Sequence, residues 1–470
     1  MRCEERMRRK KDGLAKVIIG CIVTLSIAVG ALAITLVVIN TKKTENGAQG
    51  NNTAQTFDQK DNQKEGQSGE EQLSDEQLAK QQAEAEQAKR QEVIDEATLM
   101  YQQYNYKAAI KKIKKYDADY AQDTELNDLV TKCKDAQEGL SLYGAFDTPD
   151  QISHVFFHSL IADTSKAFDG DHMENGYNYW MTTVDEFNKM MQQMYDNGYV
   201  LVSIHDVAHE EKQEDGSVKM VPGDLMLPKD KKPFVLSQDD TNYYEYMQTD
   251  GFAKRIVIDE DGYPACEMEV DGKIVTKRDF DVVPLLEKFI EEHPDFSYRG
   301  ARGIIGVTGY EGVMGYRIND KTSKTYEQDL KQAKETAKAL RAMGWVFASH
   351  SYGHGHMGKK SAKEVKEDSI HWDEEDASVI GKTDIYLFPY GEDIQEGIGT
   401  YEGEKYETLY NLGFRYYCGV YSKPWTQVKE KYVRMTRRNL DGYTMHFNPD
   451  RLEDLFSVKD TMDPCRPEFK

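Results

Sequence analysis

Apolar and polar positions divide the chain into four textures. From Val17 to Ile39 no side chain is charged, and about 20 such residues suffice, as a helix, to cross a bilayer. Residues 41–70 are rich in Gln, Asn, Gly, Lys and Glu, with Phe57 the only aromatic. That is too little apolar surface to offset the entropy of ordering, so residues 40–70 are expected to form a flexible stalk. A helix-forming texture begins near Glu71, and later its apolar positions fall at helical spacing. Ala97, Tyr101, Tyr104 and Ala108 continue into Ile110 and Ile113 with a break near Asn105, and Leu126, Leu129, Val130 and Cys133 line a second helix. The reading is a helical spacer over residues 71–142 with a tetratricopeptide-like hairpin. One such unit has no neighbour to stack on, which favours a spacer over a peptide-binding module.

From about Tyr143 to the end at Lys470 the texture changes again. Short apolar runs (around Val155–Phe157, Val200–Val202, Phe234–Leu236, Ile304–Val307, Val346–Ala348 and Ile385–Leu387) alternate with amphipathic stretches (Val184–Asn197, Val282–His293, Thr325–Gly344). Repeated strand–helix–strand order argues for a parallel α/β sheet or barrel. In such folds chemistry collects at the carboxyl ends of the strands.

Charge adds an orientation and an exclusion. The 470 residues carry 60 Lys and Arg against 82 Asp and Glu, a net charge of −22. A phosphate backbone repels so acidic a chain, and no nucleic-acid partner is expected. Seven basic residues between Arg2 and Lys16 precede the apolar run, and only Lys42 and Lys43 closely follow it. This bias places residues 1–16 in the cytoplasm, residues 17–39 across the membrane, and the remainder outside. The apolar run continues past the signal-peptidase-like Ala31-Leu32-Ala33, which fits an uncleaved anchor. Ile18-Ile19-Gly20-Cys21 has the look of a lipoprotein box, but the apolar run lies on its wrong side. The six cysteines are too few and scattered for a disulfide scaffold, and Cys133, Cys266, Cys418 and Cys465 leave three pairings open.

Three polar clusters sit where strands should end. Asp239-Asp240 follows Phe234–Leu236. His350-Ser351-Tyr352-Gly353-His354 follows Val346–Ala348. Phe388-Pro389-Tyr390-Gly391 follows Ile385–Leu387. Two histidines four apart with one carboxylate make a three-ligand set that leaves a coordination position open, as a catalytic metal site needs. A second carboxylate beside it can serve as general base.

In order and strand context these clusters resemble the polysaccharide deacetylase family, carbohydrate esterase family 4, with its NodB-homology domain. The likeness covers roughly residues 145–455 and includes the opening strand and helix around His158 and Val184–Asn197, and a late strand around Phe414–Trp425. It implies a distorted (β/α)7-type barrel over residues 143–470 and metal-dependent removal of acetyl groups, usually from nitrogen, from a polysaccharide. Carried over, Asp240, His350 and His354 would hold a divalent metal, usually zinc, and Asp239 would be the general base. The backbone N–H of Tyr390 would stabilise the oxyanion, and His446 would be the general acid. Pro389, Tyr390 and Trp425 are the candidate substrate contacts, with Trp425 equally suited to the core. His158 matches a histidine in the family's first strand and equally fits a structural role, while His205, His209 and His356 read as structural or exposed.

The chain departs from the family at two places. Ser237-Gln238-Asp239-Asp240-Thr241 stands where Thr-Phe-Asp-Asp-Gly is usual, so a glycine is lost. Leu387 stands where an arginine normally engages the partner that tunes the base; that role is absent or supplied elsewhere, with Arg437 and Arg438 as candidates. A long segment from Asn242 to about Arg302, with a hairpin-like Ile256–Asp259 and Glu267–Val270, reads as an insertion near the substrate groove. The expectation is a membrane-anchored extracellular deacetylase acting on N-acetylglucosamine of peptidoglycan or a related polymer. The alternatives are a non-catalytic carbohydrate-binding or scaffold protein on a degenerate deacetylase fold, and an O-acetyl esterase on xylan-like chains.

Overall fold

The computed structural model describes residues 74–143, 152–395, 397 and 399–470. The expected tail, membrane helix and stalk lie outside the described residues, among which no helix is long and apolar enough to cross a membrane. Two compact units are present. One holds the described residues up to Thr98 with Ile110–Val130, and the other holds Leu99–Ala109 with Thr131–Lys470. The spacer sequence forms three helices: α1 (Asp75–Gln102), α2 (Tyr106–Tyr116) and α3 (Thr124–Glu138). The chain breaks between α1 and α2 where Tyr104 takes φ 62°, next to the expected Asn105.

The second unit is built on seven strands: β1 (Ser153–Phe157), β2 (Lys232–Gln238), β3 (Ile304–Val307), β4 (Val346–Ser349), β5 (Ile385–Leu387), β6 (Tyr416–Val420) and β7 (Tyr432–Asn439). Each pairs in parallel with the next, and β7 pairs with β1, so the sheet closes into a barrel in sequence order. The barrel is distorted at β2. Its first residues pair with the short strand Tyr199–Leu201, and only Ser237 and Gln238 reach β3. A further strand, Thr426–Lys429, runs antiparallel to the first half of β7. Barrel strands are covered on both faces, which explains their near-continuous apolar runs; every residue of β1, β3 and β5 is buried.

Five longer helices lie between the strands: α4 (Val184–Asp196), α5 (Val282–Glu292), α6 (Tyr326–Ala342), α7 (Ala362–Glu375) and α8 (Glu404–Asn411). The start of α4 is fixed by a capping box in which the Thr183 hydroxyl accepts from Glu186 N–H and the Glu186 carboxylate accepts from Thr183 N–H. Phe187, Met190, Met191 and Met194 follow at helical spacing and bury one face of it. Glu186 also pairs with Arg466 at 2.6 Å, holding the C-terminal segment. The long segment after β2 forms a three-stranded antiparallel sheet of Arg255–Ile258, Pro264–Val270 and Lys273–Lys277, one strand more than the expected hairpin. Cys133, Cys266 and Cys418 are buried free thiols, so no pairing forms among them.

Candidate metal centre and its surroundings

The site begins where β2 ends. Asp239 N–H still donates to Phe157 O at 2.8 Å, extending the β1–β2 ladder by one residue. The chain then turns at Asp240, which takes φ 53°. Aspartate is among the few non-glycine residues that tolerate this left-handed conformation. The turn is therefore made by Asp240 itself, and the missing glycine at position 241 is not needed for it. Thr241 is buried, with its N–H on Gly306 O at 3.0 Å and its carbonyl accepting from Met314 N–H at 2.8 Å.

Asp240, His350 and His354 converge so that one ligand atom from each lies within 4.8 Å of the others. His354 Nε2 is 3.6 Å from Asp240 Oδ2. The neighbours decide which atoms face inward. His350 Nδ1 donates to Leu387 O at 2.8 Å, leaving Nε2 as the lone-pair nitrogen. Asp240 Oδ1 accepts from the Tyr244 hydroxyl at 2.8 Å and the Thr308 hydroxyl at 2.9 Å, which leaves Oδ2 toward the histidines. Hydrogen bonds behind the ligands commonly orient a metal site in this way. Burial, and next the Asp240 charge, push the Tyr244 phenol far up, so it remains a donor. Burial opposes ionisation of Asp240, but His354, His350 and His158 outweigh it and hold its carboxyl below the usual range. The donor set fits a divalent ion that accepts imidazole, zinc among them. The loop between the histidines is pinned by Asp368 on α7, whose carboxylate accepts from Tyr352 N–H at 3.0 Å and Gly353 N–H at 2.9 Å.

Asp239 faces the interior beside this set. It is 3.6 Å from His350 Nε2 and 2.5 Å from Arg437 Nη1. Burial pushes its carboxyl up, but the Arg437 guanidinium and then His350 prevail and hold it at about 2. Arg437 is itself fully buried on β7 and lies over the Phe156 ring at 4.5 Å. Arg438, next on the strand, points the other way and pairs with Asp454 at 2.6 Å. Of the two arginine candidates, the structure brings Arg437 to Asp239. Leu387, where the resemblance has an arginine, is buried and contributes its carbonyl to His350.

The remaining candidates separate. Tyr390 is 59% exposed, has φ 58°, stacks on His356 at 4.1 Å, and lies 4.7 Å from the His354 ring at a steep angle. It therefore borders the metal set, with Pro389 buried beneath the same turn. Trp425 is half-buried, with its ring 5.3 Å from the Arg434 guanidinium. His446 lies on α9 (Gly442–Phe447), exposed, stacked on Phe469 at 4.1 Å. His158, just past β1, is half-buried with its ring 5.8 Å from that of Phe156, and it lies near enough to Asp239, Asp240 and Asp441 to act on all three carboxyls. Asp441 caps α9 through Thr444 N–H at 2.7 Å. His205 pairs with Asp384 at 3.0 Å. Two contributors escaped the sequence reading, Tyr244 and Thr308. Thr308 directly follows β3, so the strand-end rule that found Asp239 applies to it equally.

No family model and no curated protein matches the chain. Among solved structures it is similar to the Streptococcus pyogenes deacetylase PplD in complex with acetate, at 14% identity and a TM-score of 0.34, over 67% of this chain and 98% of that one. It is also similar to a de-N-acetylase from Aggregatibacter actinomycetemcomitans, at 13% identity and a TM-score of 0.36, over 66% of this chain and 99% of that one. Likenesses this weak carry no functional argument, which rests on the residues of the site.

Proposed function

We propose that the chain is a metal-dependent hydrolase that removes N-acetyl groups from a polysaccharide, with N-acetylglucosamine of peptidoglycan or a related polymer as substrate. The observation that carries this reading is the convergence of Asp240, His350 and His354 beside an ionised, arginine-paired Asp239. A divalent metal, when bound, supplies a Lewis acid that polarises the acetyl carbonyl and acidifies water. Asp239 stays ionised at neutral pH and is a weak base, suited to orienting the attacking water and receiving its proton. The Tyr390 backbone N–H, at a left-handed turn bordering the site, is assigned to the developing oxyanion. Its exposed ring offers a face to the sugar. As the C–N bond breaks, the amine nitrogen takes a proton, and we assign that donation to His158. His446, the candidate from sequence, has its contacts with Phe447 and Phe469 instead. The products are acetate and a free amine on the glycan.

The proposal retains a single N-terminal anchor with the catalytic unit outside the membrane. Its support is the uncharged run from Val17 to Ile39 and the basic residues before it. The test is acetate release from N-acetylglucosamine oligomers by the full chain and by Asp240→Ala, with the melting curve as a folding control. Loss of release with folding retained is the expected result, and full activity in the variant would refute the ligand role. Acetylated xylan run in parallel separates amide from ester hydrolysis.

A further inference from the structure

A cavity opens on the same face of the barrel. It has a volume of about 320 Å³ and lies between the carboxyl ends of β6 and β7, lined chiefly by Tyr421, Ser422, Arg438, Asn439, Thr444 and Arg451. It adjoins the metal centre through two packed links. Gly391, next to Tyr390, lies so close to Val420 that a Cβ there would fall 2.3 Å from the valine side chain. Tyr421 N–H donates to the carbonyl of Arg437, whose guanidinium holds Asp239. The cavity is thus one packed layer from the general base.

Its lining has a definite chemical bias. The only charged side chains in it are Arg438 and Arg451. Arg438 is 4% exposed; its two terminal nitrogens are used by Asp454, Ser153 and Arg451 O, while its Nε–H is buried without a partner among the described residues. Arg451, an exposed residue lining the cavity, stands between Asp450 and Glu453 in sequence, but no carboxylate among the described residues pairs with its guanidinium. A guanidinium has donors only, and its planar fork matches carboxylate and phosphate oxygens. An exposed arginine without a carboxylate partner, beside a second arginine, in a cavity of an acidic chain points to an oxyanion from outside. Tyr421, 60% exposed, forms the rim on which the sugar bearing that group can lie.

We propose that this cavity is a subsite for an anionic substituent, a carboxylate or a phosphate, on a sugar neighbouring the one that loses its acetyl group. The proposal rests on the deacetylase reading for the word neighbouring, but the anion site itself does not. Binding to the metal-stripped full chain is measured by calorimetry with three probes: the neutral N-acetylglucosamine tetramer, a hyaluronan tetrasaccharide with a carboxylate on alternate sugars, and a 6-phosphorylated N-acetylglucosamine tetramer. At least one anionic probe should bind about tenfold tighter than the neutral one, as expected for one charge-assisted bond, and whichever binds tighter identifies the source of the oxyanion. Arg451→Gln should bring that ratio near one, and Arg451→Lys should restore part of it. Equal affinity for all three probes, or a preference that survives Arg451→Gln, overturns the proposal. Metal-restored protein that prefers an anionic probe but releases acetate from none would overturn the deacetylase reading and leave the anion site standing.

Discussion

The hydrogen bonds behind Asp240 offer a test of the metal centre that does not depend on turnover. Replacing Tyr244 with Phe removes one hydroxyl and keeps the ring that lies 5.5 Å from Tyr246 and 5.6 Å from Tyr310. The lost bond is the 2.8 Å contact to Asp240 Oδ1. A bond to a charged acceptor contributes about 1.5–3 kcal/mol, and each 1.4 kcal/mol is about a factor of ten. Thr308 keeps its own 2.9 Å bond to the same oxygen, so Asp240 is loosened rather than released. Zinc titration of the metal-stripped full chain should show affinity weakened about 10–100-fold in Tyr244→Phe, the usual scale for a partner behind a ligand. Thr308→Val should act in the same direction. Because both bonds end on one atom, the double variant should lose a different amount than the two single losses combined. Near-wild-type zinc affinity in both single variants would refute the claim that these hydroxyls orient Asp240.

Three other expectations follow from contacts already described. His158→Gln should lower the rate of acetate release by about 100-fold or more, the scale of a lost general acid, while His446→Gln leaves it near wild type; the opposite ranking would return the role to His446. Arg437→Met leaves the Asp239 carboxylate buried without its partner and should cost about 3–5 kcal/mol of stability in a denaturant melt, whereas an unchanged midpoint would mean the pair holds nothing in place. Burial raises the Asp454 carboxyl, but Arg438 outweighs it and holds it below the usual range. A carboxyl lowered by folding stabilises above its unfolded value, about 3.9, and loses that contribution as pH falls through the folded value. The melting-temperature gap between wild type and Asp454→Asn should therefore be full at neutral pH and close under acid, and a gap that ignores pH would contradict the assignment.

Much of this arrangement could be read along the chain because barrels place their chemistry by a local rule. Asp239, Asp240, His350, His354 and Tyr390 each follow a short apolar strand within a few residues, and parallel strands bring such positions to one end. The closed barrel follows from the same alternation. What escaped the sequence depends on tertiary contact. Arg437 and Arg438 are adjacent in sequence and opposite in space, and only the direction of the strand tells which one meets Asp239. Thr241 stands where the resemblance has a glycine, yet the left-handed residue of the turn is Asp240 itself. Tyr244 lies four residues past Asp240 in an irregular loop, where no periodicity marks it as a partner of the ligand. His446 is the general-acid candidate by motif likeness alone, and spacing along the chain does not show that His158, at the end of the first strand, lies nearer the two aspartates.

The most direct test of the central claim is acetate release from N-acetylglucosamine polymers and peptidoglycan by the full chain, first stripped with a chelator and then given zinc. The account predicts no release from the stripped protein and recovery on adding about one equivalent of zinc, as a single three-ligand site requires. Release that is indifferent to the chelator would contradict it, and so would a protein that binds zinc tightly at these three residues and releases no acetate from any of these glycans.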